Sequence, residues 1–289
     1  KMTYKNYHYL IESSELLEKL NTPNLRVFDT AVFLHAGENG YQAQSGRELY
    51  QEGHIPTSGF IDLIDEWADT TNPLNFTIPS FEALSSAIGE SGISENNEVV
   101  LYSSGHIMWA TRAWWCLHFA GHKNIRVLNG NFSGWKQENH PIETGSNHYS
   151  AQEFNSTPNP DVFSDTNIVE AATQNGICVI NALSQSLYEG TGDFYYKRRG
   201  HIPNSHLLFY GDLLNNEFFL PASELKKVIE QKNLKDTNQI ITYCGGGIAA
   251  TVDAFAYKLL GHDNISVYDG SMSEWVQSDD RPLKEGTEP

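Results

Sequence analysis

Ile240-Ile241-Thr242-Tyr243-Cys244-Gly245-Gly246-Gly247-Ile248-Ala249-Ala250 decides the reading of this chain. The β-branched run ending at Tyr243 predicts a short buried strand. Cys244 follows at once, then three glycines, then apolar residues at helical spacing: Ala249, Ala250, Val252, Phe255, Ala256, Leu259 and Leu260. A cysteine therefore sits on a tight strand-to-helix turn. Glycine lacks a Cβ, so such a turn can enter positive φ and bring its N–H groups together. The open N–H groups of the first helical turn point the same way, and the helix dipole adds partial positive charge. The anion nearest this cradle is the Cys244 sulfur, and a thiol so placed is expected to ionise more readily. The plain alternative is a small buried cysteine with glycines that only make the turn. A packing role needs one glycine, and there are three.

With 289 residues, the chain is long enough for two ordinary domains. Hydrophobic residues make up 39% and aromatic residues 12%, enough for a sizeable core and against disorder. The net charge of −17, from 19 basic and 36 acidic residues, argues against a nucleic-acid partner. Three widely spaced cysteines, Cys116, Cys178 and Cys244, form no C-x-x-C pair, so neither a disulfide framework nor a zinc site is expected. Cys116 and Cys178 lie in an aromatic helical stretch and an apolar strand and read as core. No His/Cys/Asp/Glu cluster has ligand spacing, so no metal or cofactor is expected. Apolar runs fall short of membrane-spanning length, and Lys1 to Tyr4 show no signal segment. A cytoplasmic protein with no membrane partner is the expectation.

Working outward, the chain repeats itself. Leu25–Asp29, Glu98–Tyr102 and Ile125–Asn129 read as strands, Phe81–Ile88 and Met108–Ala120 as helices, and the stretch after Asp29, through Ser45-Gly46-Arg47, as a long polar loop. Later, Ile177–Asn181 matches the first strand and Gly200-His201-Ile202-Pro203 matches Gly53-His54-Ile55-Pro56. Ile240–Tyr243 matches Val99–Tyr102, and Gly270 with Trp275 match Gly130 with Trp135. The offset is 147 residues at the histidine turns and 140 at the closing tryptophans, a duplication with small insertions. Two similar domains follow: 1–143, cysteine-free at the equivalent loop; a polar linker, 144–164; and 165–289, which carries Cys244. Alternating strands and helices predict an α/β fold, a mainly parallel sheet flanked by helices in each half. Ligands of such sheets bind at the carboxyl ends of the strands, where Cys244 stands.

The duplicated Gly-His-Ile-Pro turn, the strand-Cys-loop-helix, and the Asp-Gly-x-x-x-x-Trp close resemble a tandem-domain rhodanese, the family of thiosulfate and 3-mercaptopyruvate sulfurtransferases. The likeness runs from about Leu25 to Trp275. It implies a sulfurtransferase in which Cys244 takes a sulfane sulfur as a persulfide and hands it to cyanide or a thiol, with a protein thiol a further acceptor. Cys244, Gly245, Gly246, Gly247, Ile248 and Ala249 then form the active loop. Ser103 or Ser104 replaces the cysteine in the first half. The loop is closer to the mercaptopyruvate form, Cys-Gly-Ser-Gly-Val-Thr, but lacks both hydroxyls. The family's Asp-x-Arg after the strand is Asn181-Ala182-Leu183, and Leu187 and Tyr196 or Lys197 fall where substrate-binding arginines are usual. Lys197, Arg198 and Arg199 are therefore the candidate anion binders, against a solvated basic strip as the alternative. His54 is a candidate for polarising the site across the domain interface, against a structural role shared with His201. Arg47 and Glu48 could also reach the cleft. Trp109, Trp114 and Trp115 read as core, and Asp29, Asp269 and Trp275 as structural.

Two other functions share this loop. A cysteine phosphatase also cradles an anion beside a thiolate, but its loop needs a closing arginine that Ala249-Ala250-Thr251 lacks. A persulfide carrier with little turnover fits the altered substrate clamp.

Overall fold

A computed structural model of the chain describes residues 3–38, 40–193, 196–232, 234 and 238–289. Lys1 and Met2, the start of the N-terminal segment read above, lie outside them. The first half runs β1 (Leu10–Ile11), α1 (Ser13–Lys19), β2 (Leu25–Asp29), β3 (Val32–Gly37), β4 (Gly40–Ser45), α2 (Arg47–Glu52), β5 (Gly59–Phe60), α3 (Phe81–Glu90), β6 (Glu98–Tyr102), α4 (Met108–Phe119), β7 (Ile125–Leu128) and α5 (Asn131–Gln137). In the second half come β8 (Phe163–Ser164), α6 (Thr166–Gln174), β9 (Cys178–Asn181), α7 (Gln185–Glu189), β10 (Ser205–Leu207), β11 (Leu214–Asn215), β12 (Phe218–Phe219), α8 (Ala222–Gln231), β13 (Ile240–Tyr243), α9 (Ala250–Leu259), β14 (Ile265–Tyr268) and α10 (Ser271–Trp275).

Each half holds one five-stranded, wholly parallel sheet, in the orders β1-β7-β6-β2-β5 and β8-β14-β13-β9-β10. Strand for strand the two orders are the same, as the duplication predicts. The central strands β6 and β13 are buried on both faces, which is why Val99–Leu101 and Ile240–Tyr243 are unbroken apolar or β-branched runs. Ser80 and Asp165 cap α3 and α6 through Ala83 N–H and Ile168 N–H. The expected polar loop after Asp29 is instead an antiparallel hairpin, β3 with β4, followed by α2. Its alternation was masked by glycines and by a mostly solvent-exposed surface. Residues of the expected linker lie along the first half. Tyr149 Oη donates to Thr57 O and accepts from Val27 N–H, and Phe154 is buried.

The Gly-His-Ile-Pro turns explain themselves once the sheets are seen. Tyr102, at the end of β6, bonds Ser58 Oγ (2.7 Å) and Ile55 N–H (3.2 Å). Tyr243, at the end of β13, bonds Ser205 Oγ (2.7 Å) and Ile202 N–H (3.0 Å). Each turn thus anchors the strand end from which the following loop springs. The largest buried cluster is continuous between the halves, because α4 and α9 pack on each other. Thr111 Oγ1 and Thr251 Oγ1 are 2.7 Å apart, and Trp114 meets Phe255 edge-on.

Candidate active site

Cys244 lies at the carboxyl end of β13 and is 2% exposed. Its N–H donates to Ser271 Oγ (3.1 Å), and Ser271 Oγ donates to Tyr268 O. Every loop carbonyl from Cys244 to Ala249 except that of Gly246 is engaged by a donor. Cys244 O accepts from Met272 N–H (3.0 Å), Gly245 O from Ser273 N–H and Oγ (2.9 and 2.7 Å), and Gly247 O from Arg112 Nη1 (3.1 Å). Ile248 O accepts from Thr251 and Ala249 O from Val252 N–H. By contrast, the N–H groups of Gly245 through Ala249 have no acceptor among the described residues, and no side chain caps α9. Turning the carbonyls away leaves an uncompensated set of amides around the loop, which is how a backbone binds an anion.

The first half supplies its own control. Ser103 follows Tyr102 as Cys244 follows Tyr243, and its N–H meets Asn131 Oδ1 as that of Cys244 meets Ser271 Oγ, so Ser103 is the cysteine's counterpart. There every amide from Ser104 to Met108 except that of His106 is filled. Ser104 N–H goes to Asp29 Oδ1 (3.0 Å), Gly105 N–H to Ser103 Oγ (3.0 Å), Ile107 N–H to Glu217 Oε2 (2.6 Å) and Met108 N–H to His106 Nδ1 (3.0 Å).

Arg112 was not singled out in the sequence, yet it holds the cleft together. It is 1% exposed and reaches from α4 to the loop. Its Nη1 binds Gly247 O and Asp269 Oδ1 (2.8 Å), its Nη2 binds Phe76 O, and it lies over the Phe163 ring. Burial works against its charge, but the Asp269 carboxylate, with lesser help from the Cys116 and Cys244 sulfurs, holds its pKa up. An arginine among Trp109, Trp114 and Trp115 was the available signal, since a buried cation needs a partner. Asp269, read as structural, is that partner, and its Oδ2 also takes Ile78 N–H (2.8 Å). Phe76, backed by Trp109, overhangs Gly246.

The basic strip adjoins the loop through Tyr196, whose hydroxyl lies 2.9 Å from where a Cβ on Gly245 would stand. Arg198 is half-buried, and its Nη1 is committed to Ser278 O and Arg281 O (2.9 and 2.8 Å) in the C-terminal segment. Arg199 Nη1 donates to Gly190 O (3.2 Å), whereas Lys197 is exposed. His54 does not face the loop. It is fully buried, stacked on Tyr50, with Nδ1 at Tyr50 O (2.8 Å) and Nε2 at Glu143 Oε1 (3.0 Å). His201 repeats this against Tyr188 O and Glu288 O, so one shared turn accounts for both histidines. Arg47 pairs with Glu66 and lies over Phe60, and the three helix tryptophans are core, as expected.

A family model described as "Rhodanese-like domain" matches residues 12–138 and 180–278. The chain belongs to the rhodanese family. This rhodanese is 28% identical to the 3-mercaptopyruvate sulfurtransferase of Escherichia coli strain K12, over 96% of the chain and 98% of that protein. It is 29% identical to the thiosulfate sulfurtransferase of Mus musculus, over 94% and 93%. The crystal structure of SseA from Escherichia coli, a 3-mercaptopyruvate sulfotransferase, superposes with a TM-score of 0.81 at 26% identity, covering 91% of this chain and 98% of that one. Sulfurtransferase chemistry is the activity these relatives have in common. Among the described residues, no helix is long and apolar enough to cross a membrane.

Proposed function

We propose that this rhodanese moves a sulfane sulfur from thiosulfate or 3-mercaptopyruvate to cyanide or a thiol through a persulfide on Cys244. The observation that carries the reading is the contrast between the loops: amides left open around the cysteine, and all but the His106 amide filled around the serine. In the first step the thiolate attacks the outer sulfur of the donor. A bond forms between Cys244 and that sulfur while the donor's own bond to it breaks, and sulfite or pyruvate leaves. With mercaptopyruvate, the thiol proton passes to the departing carbon. The acceptor then takes the outer sulfur and restores the thiolate. Charge on the sulfur persists through both steps, so pre-aimed amides stabilise each state without reorganising. We assign Lys197 the role of meeting the donor's negative charge at the mouth, because it is the amine of the strip with no partner among the described residues.

Intact mass after incubation with each donor tests this. Wild type is expected to gain the mass of one sulfur atom, and Cys244→Ser to gain none. No gain with either donor, or a gain that survives the substitution, overturns the reading. The commitment of Arg198 elsewhere favours a second reading, a carrier that loads one sulfur and stalls; steady thiocyanate formation from cyanide excludes it.

A further inference from the structure

We propose that the hydroxyl of Tyr210 is the hydrogen-bond donor that holds the oxygen atoms of the sulfur donor over Cys244. The inference deepens the sulfurtransferase reading and rests on it. Tyr210 opens the 3-10 turn Tyr210–Leu213 beyond β10, and its N–H is tied to Ala182 O (2.9 Å), one residue past the end of β9. It therefore sits at the carboxyl edge of the second sheet, the edge from which the Cys244 loop springs. Its ring stands edge-on to His106 of the first half, with centroids 5.4 Å apart. His106 is braced in turn by Glu217, whose Oε1 lies 3.5 Å from Nε2. The ring is thus clamped at the interface between the halves, half-buried, while its hydroxyl makes no hydrogen bond among the described residues.

Of the other polar side chains around the loop, Lys197 stands at the mouth and several more are already spent. Ser271 Oγ is committed to Tyr268 O, Ser273 Oγ to Gly245 O and Thr251 Oγ1 to Ile248 O. Arg112 is consumed by Gly247, Asp269 and Phe76, and Arg198 by the C-terminal carbonyls. The phenol also stays protonated. Burial, then the Cys244 sulfur, then Glu217 raise its pKa. Its place beside the reacting atom follows from the sheet edge: Tyr210 N–H bonds Ala182 O, and Ala182 N–H bonds Tyr243 O (2.9 Å each), the residue before Cys244.

A phenol O–H is directional and uncharged, and it needs an oxygen acceptor. Thiosulfate and 3-mercaptopyruvate carry anionic oxygens beside the transferable sulfur, whereas inorganic polysulfide carries none. Tyr210 would therefore discriminate between donors that all deliver the same sulfur.

The test is Tyr210→Phe, assayed for persulfide formation with all three donors. The ring contact to His106 is kept and no internal hydrogen bond is lost, so the thermal midpoint should not move. Expected is a rise in KM of about tenfold for both oxygen-bearing donors, with polysulfide loading within about twofold of wild type. A KM unchanged for both oxygen-bearing donors overturns the assignment, as does an equal loss with polysulfide. Failure of wild type to load sulfur from any donor overturns instead the underlying sulfurtransferase reading.

Discussion

Gly247 and Gly246 are neighbours with different reasons for being glycine. Gly247 has φ +82°, and a Cβ there would stand 2.6 Å from Asp269 O. Gly246 has ordinary φ, and a Cβ there meets only Phe76 Cδ2, at 4.0 Å. Backbone strain and a backbone clash therefore act at one position and not the other. Gly247→Ala is expected to cost on the order of 1–3 kcal/mol and to displace the loop, whereas Gly246→Ser should keep its midpoint in denaturant and load sulfur. Equal midpoints for the two variants in a urea titration would contradict this. Three consecutive glycines announced the turn in the sequence. Which of them the turn requires depended on Asp269, a residue that arrives from another strand.

At the scale of elements, the two strand-loop-helix units diverge in what faces their amides. Glu217 and Phe76 stand at equivalent places, each five residues before α8 or α3 and each at positive φ, 71° and 61°. Glu217 plugs the first-half loop with a carboxylate, and Phe76 covers the second-half loop with a ring that leaves its amides open. Asp29 plugs the first loop from below, and its counterpart at the end of β9 is Asn181. Burial lifts the Asp29 pKa from 3.8 to about 6, with the Ser104 and Ala31 hydrogen bonds and His54 offsetting only part. A carboxyl raised in this way favours the fold below its unfolded pKa and loses that contribution as pH climbs through about 6. The loss is on the order of 2–3 kcal/mol at most. Asp29→Asn keeps an acceptor for both amides and mimics Asn181, whose Nδ2 donates to Tyr243 Oη. It should raise the thermal midpoint by a few degrees at about pH 8 and leave it unmoved near pH 4. Calorimetry at both values checks the sign.

Across the whole molecule, the halves are bound as one body. The pairing of Thr111 with Thr251 marks a pseudo-two-fold relation between α4 and α9, since the two threonines occupy corresponding turns. Trp114, Phe255 and Phe219 carry one apolar core across the interface, while Arg112 and Asp269 tie the 76–78 segment of the first half to the loop of the second. Neither half can unfold without exposing the face of its partner helix. Heating should therefore give one calorimetric transition, with van't Hoff and calorimetric enthalpies equal. Two transitions separated by several degrees would show that the halves melt independently.

Local pattern alone determined the strands, the long helices, the duplication, the family resemblance and the place of Cys244 on the strand-to-helix turn. Those features are written in spacing, and spacing is a property of neighbours along the chain. Tertiary structure alone decided that His54 is a sealed turn residue, that Arg198 is already bound, and that Ser103 rather than Ser104 replaces the cysteine. It also brought in Arg112, Glu217, Phe76 and Tyr210, which come from both halves. The physical reason is that an open amide is defined by the acceptors that fail to reach it. Those acceptors lie up to a hundred or more residues away, so only the folded chain shows which of two similar loops remains open.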